Sequence, residues 1–545
     1  MRVPRSQVFD WRHPIPPIGT LQEPGISTAD LPRKSTLLAA PRNWVLACCI
    51  GFALLTAIVP FARAFYRVEL NYVEGWNVYN AAIEAAHRQL YPQKTGWTTI
   101  NYPMLSYVLL AQLHHWTHDY LFTARVLSLL SLCLCCLLVA AIVRRLASGW
   151  RPALLAGFFC LALFAVAADF PAYVGVDDPE LLALAFFLGG LWVYLYLGRS
   201  QWSLALSALL FVLAVSIKHN PIEFPLAVVL DLLLVAPRRA LWFCACGMVL
   251  LAASMGLHLY YGGPYFLDAM LAPRVYSIEK AIEYSAVQLS PLLLPLGISL
   301  YTAYSLRADR TRRIAAILLA LSLLMGIFFR GGGGVSISAL FGSYFAMSIL
   351  LGLFFWRLDQ NASRNAAYTP LLLSAWLLIP WLLVPHLDER ASAQVNWDPA
   401  LALQRISDEQ KRFDQEVAFL RSQPGPVLCE SLLRCYFADK PYVYDPYNAT
   451  RMIALHRLDA NVLVAALRQQ QYGAIQLDRP GYGDTFAPAV AAAIQAYYQP
   501  VLENQDVVIY LPNSALAAHH EATAATPTAV ASTKTPHRNA KAPIG

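Results

Sequence analysis

Residues 121–145 read Leu121-Phe-Thr-Ala-Arg-Val-Leu-Ser-Leu-Leu-Ser-Leu-Cys-Leu-Cys-Cys-Leu-Leu-Val-Ala-Ala-Ile-Val143-Arg144-Arg145. Between Arg125 and Arg144 no charge intervenes, and a helix needs about 20 apolar residues to cross a bilayer. The run is long enough to span, and the paired arginines stop it at one surface. Comparable runs recur near 44–64, 152–172, 180–198, 202–217, 222–236, 240–262, 289–306, 314–329, 337–356 and 368–385. The expected fold is therefore mainly α, a polytopic membrane helix bundle of about eleven spans.

Composition agrees. The 545 residues are 57% hydrophobic and 14% charged, with mean hydropathy +0.45. Soluble domains carry about 25% charged residues, so a cytosolic enzyme, a disordered scaffold and a fibrous protein are excluded. The net charge of +7 comes from short basic clusters between apolar runs. That is the pattern of membrane loops rather than of a nucleic-acid surface. Eight of the ten cysteines (Cys48, Cys49, Cys133, Cys135, Cys136, Cys160, Cys244, Cys246) lie inside apolar runs as small hydrophobes, without metal-ligand spacing.

Basic residues orient the bundle. With the N-terminus cytoplasmic, the inside segments hold eighteen Lys or Arg and the outside loops eight, as the positive-inside rule requires. Residues 1–43 are then a cytoplasmic segment without a cleavable signal, and 44–385 the transmembrane domain. The long loops 65–120 and 263–288 face outward, and so does everything after about 386. Long loops in a compact fold are usually functional, which places any chemistry on the outer side. Residues 386–513 turn polar. Helical patterns at 400–422, 459–471 and 486–498 alternate with strand-like runs at Pro426–Cys429, Tyr442–Tyr444, Ala474–Leu477 and Val507–Leu511, which predicts a small extracytoplasmic α/β domain. There Cys429 and Cys435, six positions apart, are candidates for a disulfide in an oxidising compartment; a pair of free thiols is the other reading. The Ala/Thr/Ser/Pro-rich tail 514–545 has the composition of a disordered segment.

The outer loops hold the candidate site. Glu69 and Glu74 follow the first span in Val68-Glu-Leu-Asn-Tyr-Val-Glu-Gly-Trp-Asn-Val-Tyr79. A partly desolvated carboxylate there can serve as a general base; alternatively both are solvated interfacial charges. Asp177 and Asp178 form an acidic turn before Pro179. Asp178 suits a helix cap, which leaves Asp177 free. Lys218 and His219, in Lys218-His-Asn-Pro221, are forced outward against the charge rule, so Lys218 is a candidate phosphate ligand or else a snorkelling lysine. Arg274 and Lys280 are similar candidates, and Arg330 precedes four glycines that permit close backbone approach.

The runs Glu74-Gly-Trp-Asn-Val-Tyr79, Leu90-Tyr91, Asn101-Tyr-Pro-Met-Leu-Ser-Tyr107 and Ala124-Arg-Val-Leu-Ser128 together resemble the first-loop pattern of bacterial GT-C membrane glycosyltransferases. The likeness is to the protein-mannosyltransferase, aminoarabinose-transferase and Rgt-like group, and it extends over roughly 44–385. It implies transfer of a sugar from a polyprenyl-phosphate donor to a glycan, lipid or protein acceptor of the cell envelope. The reaction would take place on the outer face of the bacterial cytoplasmic membrane. By this resemblance Glu74 matches the catalytic acid, although Val73 stands where the family usually has a second one, so Asp177 or Glu69 is the alternative carboxylate. Tyr102, Asp178, Lys218, His219, Arg274, Lys280 and Arg330 are the implied substrate contacts. A divalent cation is the one cofactor such chemistry can use, but no metal-ligand set stands out. The rival readings are a transporter or lipid flippase, which usually shows repeats and midplane charges, and a non-catalytic assembly protein.

Overall fold

Asp119 accepts the backbone N–H of Phe122 at 3.0 Å, capping the helix that opens the run quoted above. The computed structural model of the chain describes residues 35–94, 96–98, 100–166, 170–198, 200–360, 398–479 and 485–515. Among the described residues fourteen α-helices precede residue 361: α1 (Ser35–Arg63), α2 (Val73–Ala85), α3 (Leu105–Thr117), α4 (Tyr120–Leu146), α5 (Trp150–Val166), α6 (Glu180–Tyr196), α7 (Gln201–Ile217), α8 (Glu223–Val235), α9 (Pro237–Leu257), α10 (Phe266–Met270), α11 (Ile278–Leu289), α12 (Leu293–Leu306), α13 (Arg313–Arg330) and α14 (Phe341–Gln360).

Ten of the eleven expected spans coincide with helices, while 368–385 lies outside the described residues. So do most of 1–43 and of 514–545. Among the described residues six helices are long and apolar enough to cross a membrane, and α5, α6 and α7 are shorter apolar helices. The segment read as a span at 222–236 is the 13-residue α8. That is about 20 Å at 1.5 Å per residue, and Pro221 before it and Pro237 after it limit its length.

Burial sorts the bundle. The apolar window ending in α14 is 89% buried, whereas that of α9 is only 11% buried. α14 is therefore the central helix, and α9 turns Leu241, Met248 and Val249 outward to where lipid would lie. The two ends of the bundle differ chemically. At one, Arg145 donates to Leu195 O at 3.1 Å and Arg312 to Leu146 O at 2.7 Å. At the other, the acids, aromatics and glycine loop described below converge.

Beyond residue 397 the chain forms α15 (Pro399–Ser422), β1 (Val427–Cys429), α16 (Leu432–Phe437), α17 (Pro446–Ala454), α18 (Ala460–Arg468), β2 (Ala474–Asp478), α19 (Pro488–Tyr497), β3 (Tyr498–Glu503) and β4 (Val507–Pro512). The sheet order is β1-β2-β4-β3, with β1 parallel to β2 and the other pairs antiparallel. Two strand expectations need correction. Tyr442–Tyr444 is not a strand: Pro441 and Pro446 flank it, Tyr442 stacks on Tyr79 at 4.8 Å, and the Asp445 N–H bonds Trp97 O at 2.8 Å. Strand β3 was hidden because Pro500 argues against a ladder strand; it is an edge strand whose register shifts between Pro500 and Leu502. Cys429 and Cys435 are disulfide-bonded, Cα atoms 5.9 Å apart.

This C-terminal unit shares a core with the membrane part. Val73, Trp76 and Tyr79 of α2 pack in one cluster with Phe413, Leu432, Leu433 and Ile509. One close approach is at Gly75, where a Cβ would lie 2.5 Å from the Leu432 carbonyl carbon. Gly75→Val should therefore loosen the docking and cost ~1–3 kcal/mol, as overpacking usually does. A melting curve in detergent checks it. A wild-type melt would show that this approach bears no load.

Candidate active site

Glu74 sits in the first turn of α2 with no solvent exposure, facing Arg125 of α4, which is 1% exposed. The guanidinium Nε donates to Oε1 at 2.7 Å and Nη2 to Oε2 at 2.6 Å. Leu70 N donates to Oε2 at 2.7 Å and Asp177 N to Oε1 at 3.1 Å. Arg125 also ties down the chain ahead of α2, donating to Tyr66 O and Val68 O at 2.5 Å each. A carboxylate with four donors is a strong structural anchor. Each of its oxygens already carries two hydrogen bonds from protein groups.

The turn between α5 and α6 is held from two sides. Its Asp177 N–H goes to Glu74, and its Asp177 carbonyl accepts from Asn77 Nδ2 at 2.5 Å; Tyr107 OH donates to Asn77 Oδ1 at 3.1 Å. The Asp177 side chain is left free. Its Oδ2 is buried without a hydrogen-bond partner, in a slot walled by Leu110, Ala124, Leu127 and Leu182, where Ser106 Oγ and Ser128 Oγ are also unpartnered. Burial pushes the Asp177 carboxyl well above the usual carboxylate range, and the charges of Glu74 and Asp178 add to this.

Asp178 behaves differently. Lys218, at the end of α7, lies 2.8 Å from Asp178 Oδ1 and 2.8 Å from Glu180 Oε2, all three buried, and its Nζ stands 4.5 Å from the Tyr102 ring centroid. Asp178 Oδ1 also accepts the Glu180 N–H at 2.8 Å, from one residue ahead of the N-cap position, which Pro179 takes. Lys218 is thus neutralised within the protein.

Cations without such partners line the neighbouring cavity. It is bounded by Tyr72, Trp76, Tyr102, Lys218, Arg274, the 334–336 loop, Tyr447 and Arg451. Arg274 makes no ion pair among the described residues. Arg451, in α17 of the C-terminal unit, is 9% exposed, and Nε, Nη1 and Nη2 all lack hydrogen-bond partners. The nearby Asp445 is committed to Asn448 at 2.6 Å and to Tyr442. Burial, then the charge of Arg274, lowers the Arg451 guanidinium below its ordinary value. A second opening joins here, about 640 Å³ counting its mouth, lined by His219, Asn220, Arg274, Tyr276, Phe328 and Phe329. His219 is held neutral, at about 4, by burial and by Arg274 and Lys218. Gly334 adopts φ +76° against the Tyr447 ring, where a Cβ would clash.

The structure thus brings together Glu74, Tyr102, Asp177, Asp178, Lys218, His219 and Arg274. It leaves three candidates aside. Lys280 is exposed and lines neither cavity. Arg330 folds back on its own loop, donating to Val335 O, with Tyr284 5.1 Å away. Glu69 faces Arg434 at 3.5 Å, its carboxyl raised by burial. Sequence reading missed Arg125 and Arg451 as site residues. Each had a signal: Arg125 is the lone charge of an apolar run, and Arg451 shares the buried face of α17 with Asn448 and Met452. For a divalent cation the acids present fit poorly. Asp178 and Glu180 face Lys218 and Glu74 holds Arg125, whereas such ions take six or more oxygens. Among the described residues no group of three His, Cys, Asp or Glu side chains converges on a metal position.

The fold has solved relatives. The crystal structure of ArnT from Cupriavidus metallidurans in the apo state aligns with TM-score 0.58 at 14% identity, covering 88% of this chain and 99% of that one. The same protein bound to undecaprenyl phosphate aligns with TM-score 0.56 at 14% identity, over 86% and 98%. The Archaeoglobus fulgidus oligosaccharyltransferase in its apo form gives TM-score 0.48 at 11% identity, over 84% and 73%. No family model matches, and no curated protein matches in sequence. The chain shares the fold of these ArnT structures, a membrane helix bundle followed by a small C-terminal α/β unit.

Lys218→Met should leave Asp178 and Glu180 buried without their cation and destabilise the protein by ~3–5 kcal/mol. Arg451→Met should cost little or raise stability, since it removes an unpaired buried charge. Melting curves of the two purified variants in detergent check the contrast; equal losses would contradict it.

Proposed function

We propose that this protein is a membrane glycosyltransferase that moves a sugar from a polyprenyl-phosphate donor to a cell-envelope acceptor. Transfer takes place on the outer face of the bacterial cytoplasmic membrane, where the C-terminal unit and both long loops lie. The observation that carries the reading is the pair Arg274 and Arg451, neither with an acidic partner among the described residues, in a cavity that continues between Tyr276, Phe328 and Phe329. Two guanidiniums match a phosphate geometrically and in charge, and an aromatic channel suits the prenyl chain attached to it. ArnT, with the same fold, has been crystallised with undecaprenyl phosphate.

Asp177 is then the base. Its carboxylate takes the proton of the acceptor hydroxyl or amine as that group attacks the sugar C1. The C1–O bond to phosphate breaks, and its electron pair passes to the phosphate oxygen, whose charge Arg274 and Arg451 stabilise. Lys218 and Asp178, locked together, set the wall between the two reacting sides, and Tyr102 packs over Lys218. The transporter reading loses its main support: Asp231, the one acid inside an apolar run, bonds Arg313 at 2.8 Å and Tyr194 at 2.5 Å.

An assay with labelled polyprenyl-phosphate sugars and envelope extract in detergent tests the reading, because transfer without any ion gradient is expected only of a transferase. Asp177→Asn should lower turnover by roughly 10²–10⁴-fold, the usual contribution of a general base. Arg451→Met should instead weaken donor binding by tenfold or more. Because folding raises the Asp177 carboxyl, activity should fall as pH drops through a limb lying above the ordinary carboxylate value of ~3.9. A pH–rate profile flat down to pH 4 would contradict the assignment.

A further inference from the structure

We infer that the buried Glu74–Arg125 pair is a positioning device that aims the Asp177 carboxylate, and that Glu74 itself exchanges no proton with substrate. The inference rests on the reading of Asp177 as base and deepens it. It begins from an asymmetry between two acids linked through one backbone N–H, that of Asp177, which lies 3.1 Å from Glu74 Oε1. Glu74 has every oxygen engaged by Arg125, Leu70 and Asp177. The Asp177 side chain has a buried Oδ2 with no hydrogen-bond partner among the described residues. Only the second can accept a proton from an incoming group without first breaking a protein hydrogen bond.

The clamp is complete in three dimensions. Arg125 donates to Tyr66 O and Val68 O as well as to Glu74, so one guanidinium ties the end of α1, the start of α2 and the body of α4 into a unit. From that unit Glu74 Oε1 grips the Asp177 N–H, while Asn77, one helical turn along α2, grips the Asp177 carbonyl at 2.5 Å. Tyr107 of α3 fixes Asn77 in turn. Both peptide groups flanking the Asp177 Cα are thereby held, and the side chain projects into the slot beside Ser106 and Ser128. Holding a reacting group in place is where much of an enzyme's rate advantage arises, and small misplacements are costly.

Charge makes the device testable. The groups facing Asp177 are Glu74 from α2, Arg125 from α4, Tyr107 from α3, Tyr436 from α16 and Asp178 in its own turn, the last neutralised by Lys218. Arg63 of α1 stands behind Glu74 and reaches Val174 O at 3.5 Å. Replacing Glu74 by Gln keeps an oxygen for the Asp177 N–H but removes the negative charge, leaving Arg125 uncompensated. The Asp177 carboxyl then becomes more acidic, and the acid limb of the pH–rate profile moves to lower pH.

The experiment measures pH–rate profiles, kcat and donor KM for Glu74→Gln, Glu74→Asp and Asp177→Asn in detergent, with labelled polyprenyl-phosphate sugar as donor. Glu74→Gln should retain turnover reduced about tenfold or more, with donor KM unchanged and the limb lowered by about one pH unit or more. Glu74→Asp keeps the charge that Arg125 needs, so it serves if the amide variant does not fold. It is one methylene too short to reach the Asp177 N–H, and should lower kcat with the limb in place. A folded Glu74→Gln protein with no limb and only the residual rate of Asp177→Asn would make Glu74 the proton acceptor and overturn the inference. So would an unmoved limb in Glu74→Gln, or wild-type kcat in Glu74→Asp. Asp177→Asn that keeps wild-type turnover would instead sink the reading of Asp177 as base, a separate failure.

Discussion

Arg125 and Glu74 are two charges withdrawn from water at the junction of α2 and α4, and the outer end of the bundle is organised around keeping them satisfied. An ion pair this deeply buried is costly unless hydrogen bonds complete its coordination. Here two backbone carbonyls and two backbone N–H groups do so. Those four groups come from the end of the first helix, the approach to α2 and the Asp177 turn. Satisfying the pair therefore brings together segments that lie about a hundred residues apart in the chain. The same demand explains why Arg125 is tolerated inside an otherwise charge-free run.

From that anchor the site divides by charge. On one side of the 177–178 turn the Asp177 carboxyl faces a slot of Leu, Ala and Ser; on the other, Arg274 and Arg451 lie in each other's positive field, neither in an ion pair among the described residues. Lys218, bridging Asp178 and Glu180, stands between the two. A nucleophile to be deprotonated and a leaving phosphate to be stabilised need this arrangement, with opposite polarity on opposite faces of the reacting carbon. The C-terminal unit is part of the site. Arg451 comes from it, Tyr447 presses on the glycine loop, and α16 seats on Gly75 of α2.

How much of this the sequence disclosed depended on the range of the interaction. The bundle was legible because a membrane span is a local property of some twenty residues, and ten of the expected spans are helices. The pairing of Cys429 with Cys435 was open to local reading for the same reason. The division of roles was not. Nothing near Glu74 in the chain shows that Arg125, fifty-one positions on, will occupy it, and nothing near Lys218 shows that two acids will neutralise it. Lys280 and Arg330 looked like site residues because they sit in the right loops, but a loop's side does not determine where a long side chain points. Strand β3 was hidden by Pro500, and the Tyr442–Tyr444 run by aromatic docking to α2, a contact made across the whole chain.

The measurement that bears most directly on this division of the site is an experimental structure of the protein with a polyprenyl phosphate bound. The phosphate should lie between Arg274 and Arg451 within ordinary hydrogen-bond distance, about 2.7–3.2 Å. Its chain should run past Tyr276 and Phe328, the Arg125–Glu74 pair should be intact, and Asp177 should remain free. A phosphate bound instead against Lys218 with its two acids displaced, or a Glu74 released from Arg125 toward the ligand, would contradict the assignment of charges made here.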